Sequence, residues 1–450
     1  MHTENLKIIS VNSGSSSIKF SVFNLSEDSA SLNSKNGISP LNNIDRVLSC
    51  RIEEIGTEYG SFYLKDKNKT ENEKRNFSDH ETALKFILRK IGFIDGSNED
   101  IKKDAAASSD NGNNILVAHR YVHGGKYYIK PLIAGGEDVK KLAVLNDIAP
   151  LHNPSNLKGL EVMKSLLPDA PQICIFDTAF HAGVPDYAAL YPIPIEYYEK
   201  LGIKKYGFHG ISYAFIVNLF NIYNKYEYGH KNAIKKAVIC HLGNGASVCA
   251  VDNGKSVDTS MGYTPLEGLM MGTRCGNIDP EVPFILKKKL NLTDDDVNKI
   301  LNKKSGLLGI SKKTYDFTEL TEFSDESSKL ALKMFVYRIV KFIGQYAAVL
   351  NGIDALVFTG GIGENSDLLR KEVCDSLTYL GLKLDGEKNA AAAKYFQSHN
   401  PFGRININDS VKPISDDVSS VKVFAVHTDE ELQMAYESIN LLNNMSDLRR

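Results

Sequence analysis

The chain opens with an apolar run, Leu6-Lys-Ile-Ile-Ser-Val11, passes through a small polar stretch, Asn12-Ser-Gly-Ser-Ser-Ser17, and resumes with the alternating Ile18-Lys-Phe-Ser-Val-Phe23. Period-two alternation on either side of a Gly/Ser cluster predicts strand, tight turn and strand. A comparable pattern returns over residues 237–254, Ala-Val-Ile-Cys-His-Leu-Gly-Asn-Gly-Ala-Ser-Val-Cys-Ala-Val-Asp-Asn-Gly. A shift of 230 positions lays Ile8 and Ile9 on Val238 and Ile239, and Ser17 and Ile18 on Ser247 and Val248. This points to two related domains, each opening with a hairpin whose turn exposes backbone N–H groups that could hold a polyphosphate. Apolar runs at 115–118, 173–176 and 355–358 read as buried strands. Within 328–350, Leu330, Met334, Ile339 and Ile343 recur at roughly helical spacing. Strands alternating with helical patterns predict an α/β protein. Residues 26–43 and 97–114 are polar enough to be read as mobile surface insertions outside the chemistry.

A length of 450 residues fits two large domains. With 53 Lys+Arg against 55 Asp+Glu the net charge is −2, so no basic excess exists to displace counterions from a polyanion. Nucleic-acid and membrane-surface binding are excluded on that ground. Cys50, Cys174, Cys240, Cys249, Cys275 and Cys374 form no C-x-x-C pair, which fits neither a zinc site nor a disulfide framework and predicts a reducing, cytoplasmic setting. The N-terminal residues lack a basic region leading into an apolar stretch, which argues against a secretory signal. The longest uncharged run, 206–224, is interrupted by Gly207, His209, Gly210 and Asn218 and is no membrane span.

Candidate chemistry gathers in short motifs. Residues 12–19 read as a phosphate cradle, with Lys19 as a point charge and Asn12 near a metal, or as a plain hairpin turn. No Walker A sequence is present, and no G-x-G-x-x-G follows a strand. His119-Arg120-Tyr-Val-His123-Gly-Gly125 is a cationic cluster after an apolar strand, where α/β ligands gather, or else an arginine salt bridge beside a turn. Asp177 stands at the end of another strand, able to organise Mg²⁺ or to cap a helix. Tyr206-Gly-Phe-His209-Gly210 sets an imidazole between two glycines. Arg274, in Gly272-Thr-Arg-Cys-Gly-Asn277, offers a planar fork to a phosphoryl group or is a solvated loop residue. Gly360, Gly361 and Gly363 leave a flat surface for adenine or ribose. His119, His123, His181 and His209 show no H-E-x-x-H spacing, so a metal hydrolase is excluded. Together the motifs supply the parts of phosphoryl transfer, a reaction catalysed by positioning and charge neutralisation.

With these motifs in this order the chain resembles the acetate kinase family, within the acetate/sugar kinase, Hsp70 and actin superfamily. The stretch Ile8-Ile-Ser-Val-Asn-Ser-Gly-Ser-Ser-Ser-Ile-Lys19 is similar to that family's first signature, and 238–254 to its second. The resemblance implies two duplicated actin-like (ribonuclease H-like) domains around a central cleft, residues 1–178 with a helix 430–450 packing back on them and residues 179–429, usually as a homodimer. It implies ATP + acetate = ADP + acetyl phosphate by direct in-line transfer, with Mg²⁺. Carried over, Asn12 and Glu430 match magnesium positions. Lys19, His241, Leu242, Gly243, Asn244, Gly245, Asp316, Phe317, Thr318, Gly361, Ile362, Gly363, Glu364 and Asn365 match nucleotide-contact positions. Arg120 matches the substrate arginine, Asp177 the catalytic aspartate, and His209 with Arg274 the transition-state pair. Val122, Leu151, Phe208 and Pro265 match the pocket for the acetate methyl. Thr318 stands where the family usually has arginine, which leaves the donor open among ATP, another nucleotide and pyrophosphate; Cys275 stands where serine is usual. A propionate or butyrate kinase is the nearest rival, since one methylene in an apolar pocket changes discrimination by only about 10–200-fold. An actin- or chaperone-type nucleotide binder would share the fold and need neither the acyl pocket nor the two arginines.

Overall fold

The computed structural model describes residues 6–25, 40–94, 114–228, 233–398 and 402–447. Both predicted insertions lie largely outside these residues. The described end of the first, Pro40–Asn43, is a 3-10 turn that buries Leu41, so that part is packed structure. The chain divides into two compact units, Met1–Ala179 with Pro401–Asn406 and Asp429–Arg450, and Phe180–Asn400 with Ile407–Thr428. No described helix is long and apolar enough to cross a membrane.

Strands of the first unit are β1 (Lys7–Ser13), β2 (Ile18–Leu25), β3 (Ile44–Glu53), β4 (Gly60–Asp66), β5 (Thr70–Arg75), β6 (Ile115–Tyr121), β7 (Leu132–Ile133) and β8 (Gln172–Phe176). Those of the second are β9 (Lys236–Leu242), β10 (Ala246–Asp252), β11 (Lys255–Thr259) and β12 (Ala355–Thr359); β13 (Gly403–Arg404) returns to pair with β3, and β14 (Val411–Pro413) and β15 (Lys422–Val426) complete the second sheet. The helices that position functional residues are α1 (His80–Lys90), α2 (Asn153–Leu166), α3 (Gly210–Tyr228), α4 (Phe317–Thr321), α5 (Glu326–Val349), α6 (Gly360–Asn365), α7 (Asp367–Asp375) and α8 (Glu430–Asp447).

The two sheets share one plan. In the first, the order β3-β2-β1-β6-β8 joins an antiparallel meander to two parallel strands; in the second, β11-β10-β9-β12-β15 does the same. The predicted repeat is therefore present in strand order. A single shift does not carry through it, because the first turn spans 14–17 and the second only 243–245, so Ile18 and Ala246 begin the return strands.

Central strands are apolar on both faces because helices cover them. In β1 every residue after Lys7 is buried, and Ile9 and Val11 pack with Ala83, Leu84 and Ile87 of α1 and Val162 and Met163 of α2. Two predicted patterns shift. The strand read as 115–118 continues to Tyr121, so His119 and Arg120 lie within it. In α5 the buried row is Ala331, Phe335, Ile339 and Ile343, while Leu330 is 52% exposed and Met334 only half-buried. Residues one apart on a helix point about 100° apart, so an error of one position rotates the stripe off the core.

Candidate active site

In the first unit, the carboxyl ends of the parallel strands β1, β6 and β8 bring Asn12, Arg120 and Asp177 together. The strands are held in register by Val11 opposite His119 and Tyr121 opposite Phe176. The Asp177 backbone N–H donates to the Tyr121 carbonyl at 3.0 Å, which extends the β6–β8 pairing to Asp177. Arg120 Nε and Nη2 both donate to Asp177 Oδ2, at 3.0 and 2.6 Å, and Nη1 reaches Asn12 Oδ1 at 3.5 Å. The Asp177 side chain is 1% exposed and that of Arg120 20%. Burial alone would lower the Arg120 pKa, but Asp177, Glu430 and Glu431 more than offset this and hold the guanidinium charged.

Glu430 opens α8, whose start is fixed by Arg46: Nη2 donates to Asp429 at 2.5 Å and lies 3.6 Å from Glu431. Asp429 in turn accepts from the Leu432 N–H at 3.0 Å. Lys19 is exposed and pairs across the hairpin with Asn12, placing both on one face. The loop after β6 is tied down by α2: Asn156 Oδ1 accepts from the Val122 N–H at 3.0 Å while its Nδ2 donates to the Ser13 carbonyl at 2.7 Å. Asn153 exchanges two bonds with His123 in the same way. A Cβ at Gly159 would lie 2.3 Å from Ser13 Oγ, so only glycine lets α2 approach the end of β1 this closely. Val122 is buried and Leu151 exposed.

The cationic cluster read around Arg120 reduces to Arg120. His119 is 2% exposed and paired with Gln172 Oε1 at 2.8 Å; burial lowers its pKa to about 4, so it is a neutral core residue. His123 is fully buried, and its Nδ1 accepts from the Gly125 N–H at 2.9 Å.

In the second unit His209 precedes α3 with φ +57, a left-handed conformation uncommon for a residue with a side chain. Gly207 beside it, at φ +74, packs so tightly that a Cβ would meet Thr259 and His181 at 2.5–2.6 Å. His181 supports this loop from beneath, bonded to the Phe208 carbonyl at 3.0 Å and to Ser256 at 2.8 Å; burial lowers its pKa to about 4. The His209 ring stacks on His241 with centroids 4.2 Å apart. A Cβ at Gly245 would lie 3.4 Å from His209 Nε2 and 3.6 Å from Arg274 Nη1, which places imidazole, guanidinium and hairpin turn around one point.

The Arg274 loop is not a solvated excursion. The Met271 N–H donates to the Arg274 carbonyl at 3.1 Å, Gly272 to Asn244 at 3.2 Å, Cys275 to Leu301 at 3.0 Å and Ser305 to Thr273 at 3.0 Å. Arg274 Nη1 donates to the Pro265 carbonyl at 3.1 Å, so Pro265 meets the guanidinium through its backbone oxygen. Phe208 is buried beside these groups in sequence, directly before His209.

Several positions matched to nucleotide contact have side chains engaged elsewhere. Leu242 is fully buried at the end of β9. Asp316 caps α4 by accepting from Glu319 at 3.0 Å, Phe317 packs on Phe335, and Thr318 is exposed. Glu364 is buried and accepts from the Gly360 N–H at 3.0 Å, the Thr428 N–H at 3.1 Å and His427 Nδ1 at 2.8 Å. Burial raises its pKa, but His427 and the backbone bonds lower it further, so it stays ionised. Gly363 faces Phe358 and Leu242, whereas Gly361 has open space where a Cβ would project. Asn365 Nδ2 donates to the Gly361 carbonyl at 2.8 Å, and Ile362 is half-buried. Beneath α6 lies Arg370, fully buried, donating to the Gly363 and Glu364 carbonyls at 2.7 and 2.6 Å and to Asn389. Asn153, Asn156, Arg46, Ser247 and Arg370 were not singled out from the sequence.

A model of the Acetokinase family matches residues 7–436 of the sequence. The chain belongs to the acetokinase family. Among the members most similar to it is an acetate kinase of Clostridium botulinum (strain Hall), 38% identical over 436 residues, 96% of this chain and 98% of that one. Of the family's solved structures, a propionate kinase from Francisella tularensis superposes with a TM-score of 0.79 at 31% identity, covering 97% of this chain and 99% of that chain. An acetate kinase from Porphyromonas gingivalis gives 0.77 at 32% identity, covering 97% and 100%.

Proposed function

We propose that this acetokinase transfers the γ-phosphoryl group of ATP reversibly to acetate, forming ADP and acetyl phosphate. The observation that carries the reading is Arg120, a guanidinium kept charged and oriented by Asp177 at a strand end beside Asn12, with Glu430 adding negative charge. A planar fork of this kind suits a carboxylate. In the forward direction a carboxylate oxygen of acetate attacks the γ-phosphorus. The new O–P bond forms as the bond to the β–γ bridging oxygen breaks, and that oxygen leaves with ADP. Arg120 would hold the acetate in line, and Val122, Leu151, Phe208 and Pro265 would receive its methyl group. Acetate is already ionised near neutral pH, so no proton need be removed from it. Asp177 then acts through Arg120, as a positioning residue. Arg274 and His209 would donate to the equatorial phosphoryl oxygens, where charge spreads in the transition state.

Asn12 and Glu430 are hard oxygen donors that both act on Arg120 within the first unit, a set that fits Mg²⁺ taking its remaining ligands from water and phosphates. Bound there, Mg²⁺ supplies neutralisation of the β/γ charge. Lys19, the 243–245 turn and Gly361 would meet the nucleotide. Free thiols at all six cysteines suit a cytoplasmic setting, and a homodimer follows the family's habit.

The similarity to a propionate kinase structure favours propionate as the second acid. The test is hydroxamate trapping of acyl phosphate with acetate, propionate and butyrate, each offered ATP, GTP or pyrophosphate. Acetate with ATP is expected to give the highest kcat/KM. Product formed only with pyrophosphate overturns the donor, a preference for propionate above tenfold overturns the acid, and no product from any pair overturns the reaction.

A further inference from the structure

Behind His209 lies a buried hydrogen-bond relay that the reaction as proposed does not use. His209 Nδ1 is 2.8 Å from Ser247 Oγ, and Ser247 Oγ is 2.5 Å from the Tyr213 hydroxyl. Ser247 and Tyr213 are both 0% exposed. Ser247 stands on β10 directly opposite His241, the residue on which His209 stacks, and Tyr213 is one helical turn beyond His209 on α3. The relay is thus built from the hairpin and helix that also frame Gly245 and Arg274.

The direction of the relay follows from counting donors. Among the described residues, Ser247 Oγ is the side-chain partner of the Tyr213 hydroxyl, and burial pushes the Tyr213 pKa well up, so the phenol keeps its proton. A buried O–H left without an acceptor loses its hydrogen bond to water and gains none, which makes Tyr213 the donor and Ser247 the acceptor. Ser247 then has its own proton to place, and its remaining side-chain partner is His209 Nδ1. Were Nδ1 to carry a hydrogen, it would point at Ser247 Oγ and leave the serine proton without a side-chain acceptor among the described residues. Every donor is satisfied only when Nδ1 accepts, and the imidazole proton then sits on Nε2, the nitrogen on the side of Gly245 and Arg274.

We propose that Tyr213 and Ser247 are positioning residues that hold His209 as the neutral Nε2–H tautomer, so that it meets the phosphoryl group as a hydrogen-bond donor. The role rests on the phosphoryl-transfer reading above, whereas the tautomer itself does not. A fixed tautomer matters because a ring free to place its proton on either nitrogen would present a lone pair to an oxyanion part of the time, and a wrong tautomer can cost several orders of magnitude in rate. Conversely, the left-handed backbone at His209 fixes where the ring is, and the relay fixes which edge carries hydrogen.

The tautomer is read directly by nitrogen NMR of the full-length protein labelled at histidine, with His209 assigned by comparison with His209→Asn. The expected result is an acceptor-type Nδ1 and a protonated Nε2 at neutral pH, changing to a mixture of tautomers in Ser247→Ala. In parallel, Ser247→Ala is expected to lower kcat by about 10–100-fold, with KM for acetate and ATP within about twofold. Tyr213→Phe is expected to have a smaller effect in the same direction, and Ser247→Thr, which keeps the hydroxyl, to restore both the spectrum and most of kcat. A protonated Nδ1 in the unaltered protein overturns the proposal. So does an unchanged kcat in a folded Ser247→Ala, or an equal loss in Ser247→Thr, which would mark a packing defect. If the protein forms no acyl phosphate with any acid and donor, the catalytic role falls with the proposed function, while the spectrum still decides the tautomer.

Discussion

At the carboxyl ends of β1, β6 and β8 the first unit presents Asn12, Arg120 and Asp177; at the corresponding ends of β9, β12 and β15 the second presents the 243–245 turn, Gly360 and His427. One strand plan thus ends in an arginine–aspartate pair in one copy and, in the other, in a small-residue turn, a buried glycine and a histidine bonded to Glu364. The second copy recovers its charge from loops: Arg274 is held by bonds to Asn244, Leu301 and Asn302 around it, and His209 by a left-handed turn. A duplicated sheet fixes where strand ends fall, and the residues placed there decide whether a copy presents a charged fork or a small-residue turn.

The strongest way to break this contrast is to remove one guanidinium from each copy. Arg120→Ala and Arg274→Ala are each expected to lower kcat/KM by about 10³-fold or more, with Arg120→Ala also raising the acetate KM. A loss below about tenfold in steady-state assays of Arg274→Ala would reject its role at the transition state.

Stability sharpens the comparison next, because each unit holds a histidine whose pKa burial lowers. Both His119 and His181 have folded pKa values lowered from 6.5 to about 4 by burial. A depressed folded pKa means the unfolded chain binds the proton first as pH falls. The stability each residue contributes is complete above 6.5 and is lost between about 6.5 and 4, by roughly 3 kcal/mol apiece. Calorimetric Tm should therefore fall across that window, and His119→Gln should flatten the fall. Equal acid sensitivity in that variant would show that His119 is charged or solvated in the fold.

Asp177→Asn keeps the shape of the Arg120 support and removes its charge. The expected loss is about 30-fold in kcat/KM for acetate, the equivalent of a charge-assisted hydrogen bond of roughly 2 kcal/mol. The pH–rate profile should keep its form; disappearance of an acidic limb would make Asp177 a general base instead. The smallest effects separate two glycines of the second unit. A Cβ at Gly245 would lie in contact with both His209 and Arg274 and occupy the point they frame, so Gly245→Ala is expected to lower kcat by about tenfold. Gly361→Ala projects into open space, and kcat should be unchanged, with a raised ATP KM if adenosine lies across it.

The hairpins were legible in the sequence because a Gly/Ser turn between alternating runs is a local signal, and Arg120 and Asp177 because they stand at or just past the ends of obvious apolar strands. The supports were not. Asn156 joins Val122 and Ser13 across 34 and 143 positions, and Arg46 reaches Asp429 across 383, distances over which no periodicity carries information. Asn153 and Asn156, polar residues three apart at the start of an apolar helix, were a faint clue. The internal bonding of polar residues was hidden as well: His119 pairs with Gln172 and Glu364 with His427, partners 53 and 63 positions away. Ser247 matched Ser17 in the repeat, yet its importance comes from Tyr213 and His209, on another element.

The path of the chain sets an order of completion. It leaves the first unit near Ala179, builds most of the second, touches the first again where β13 pairs with β3, and returns at Asp429 with α8, whose Leu432, Met434, Ala435 and Ile439 are buried and which packs on β1, β2, β3, β6 and β8. During synthesis the first sheet therefore waits, one apolar face uncovered, until α8 clears the ribosome. Glu430 arrives on that same helix, so the closing layer and the carboxylate whose charge acts on Arg120 are completed in one event.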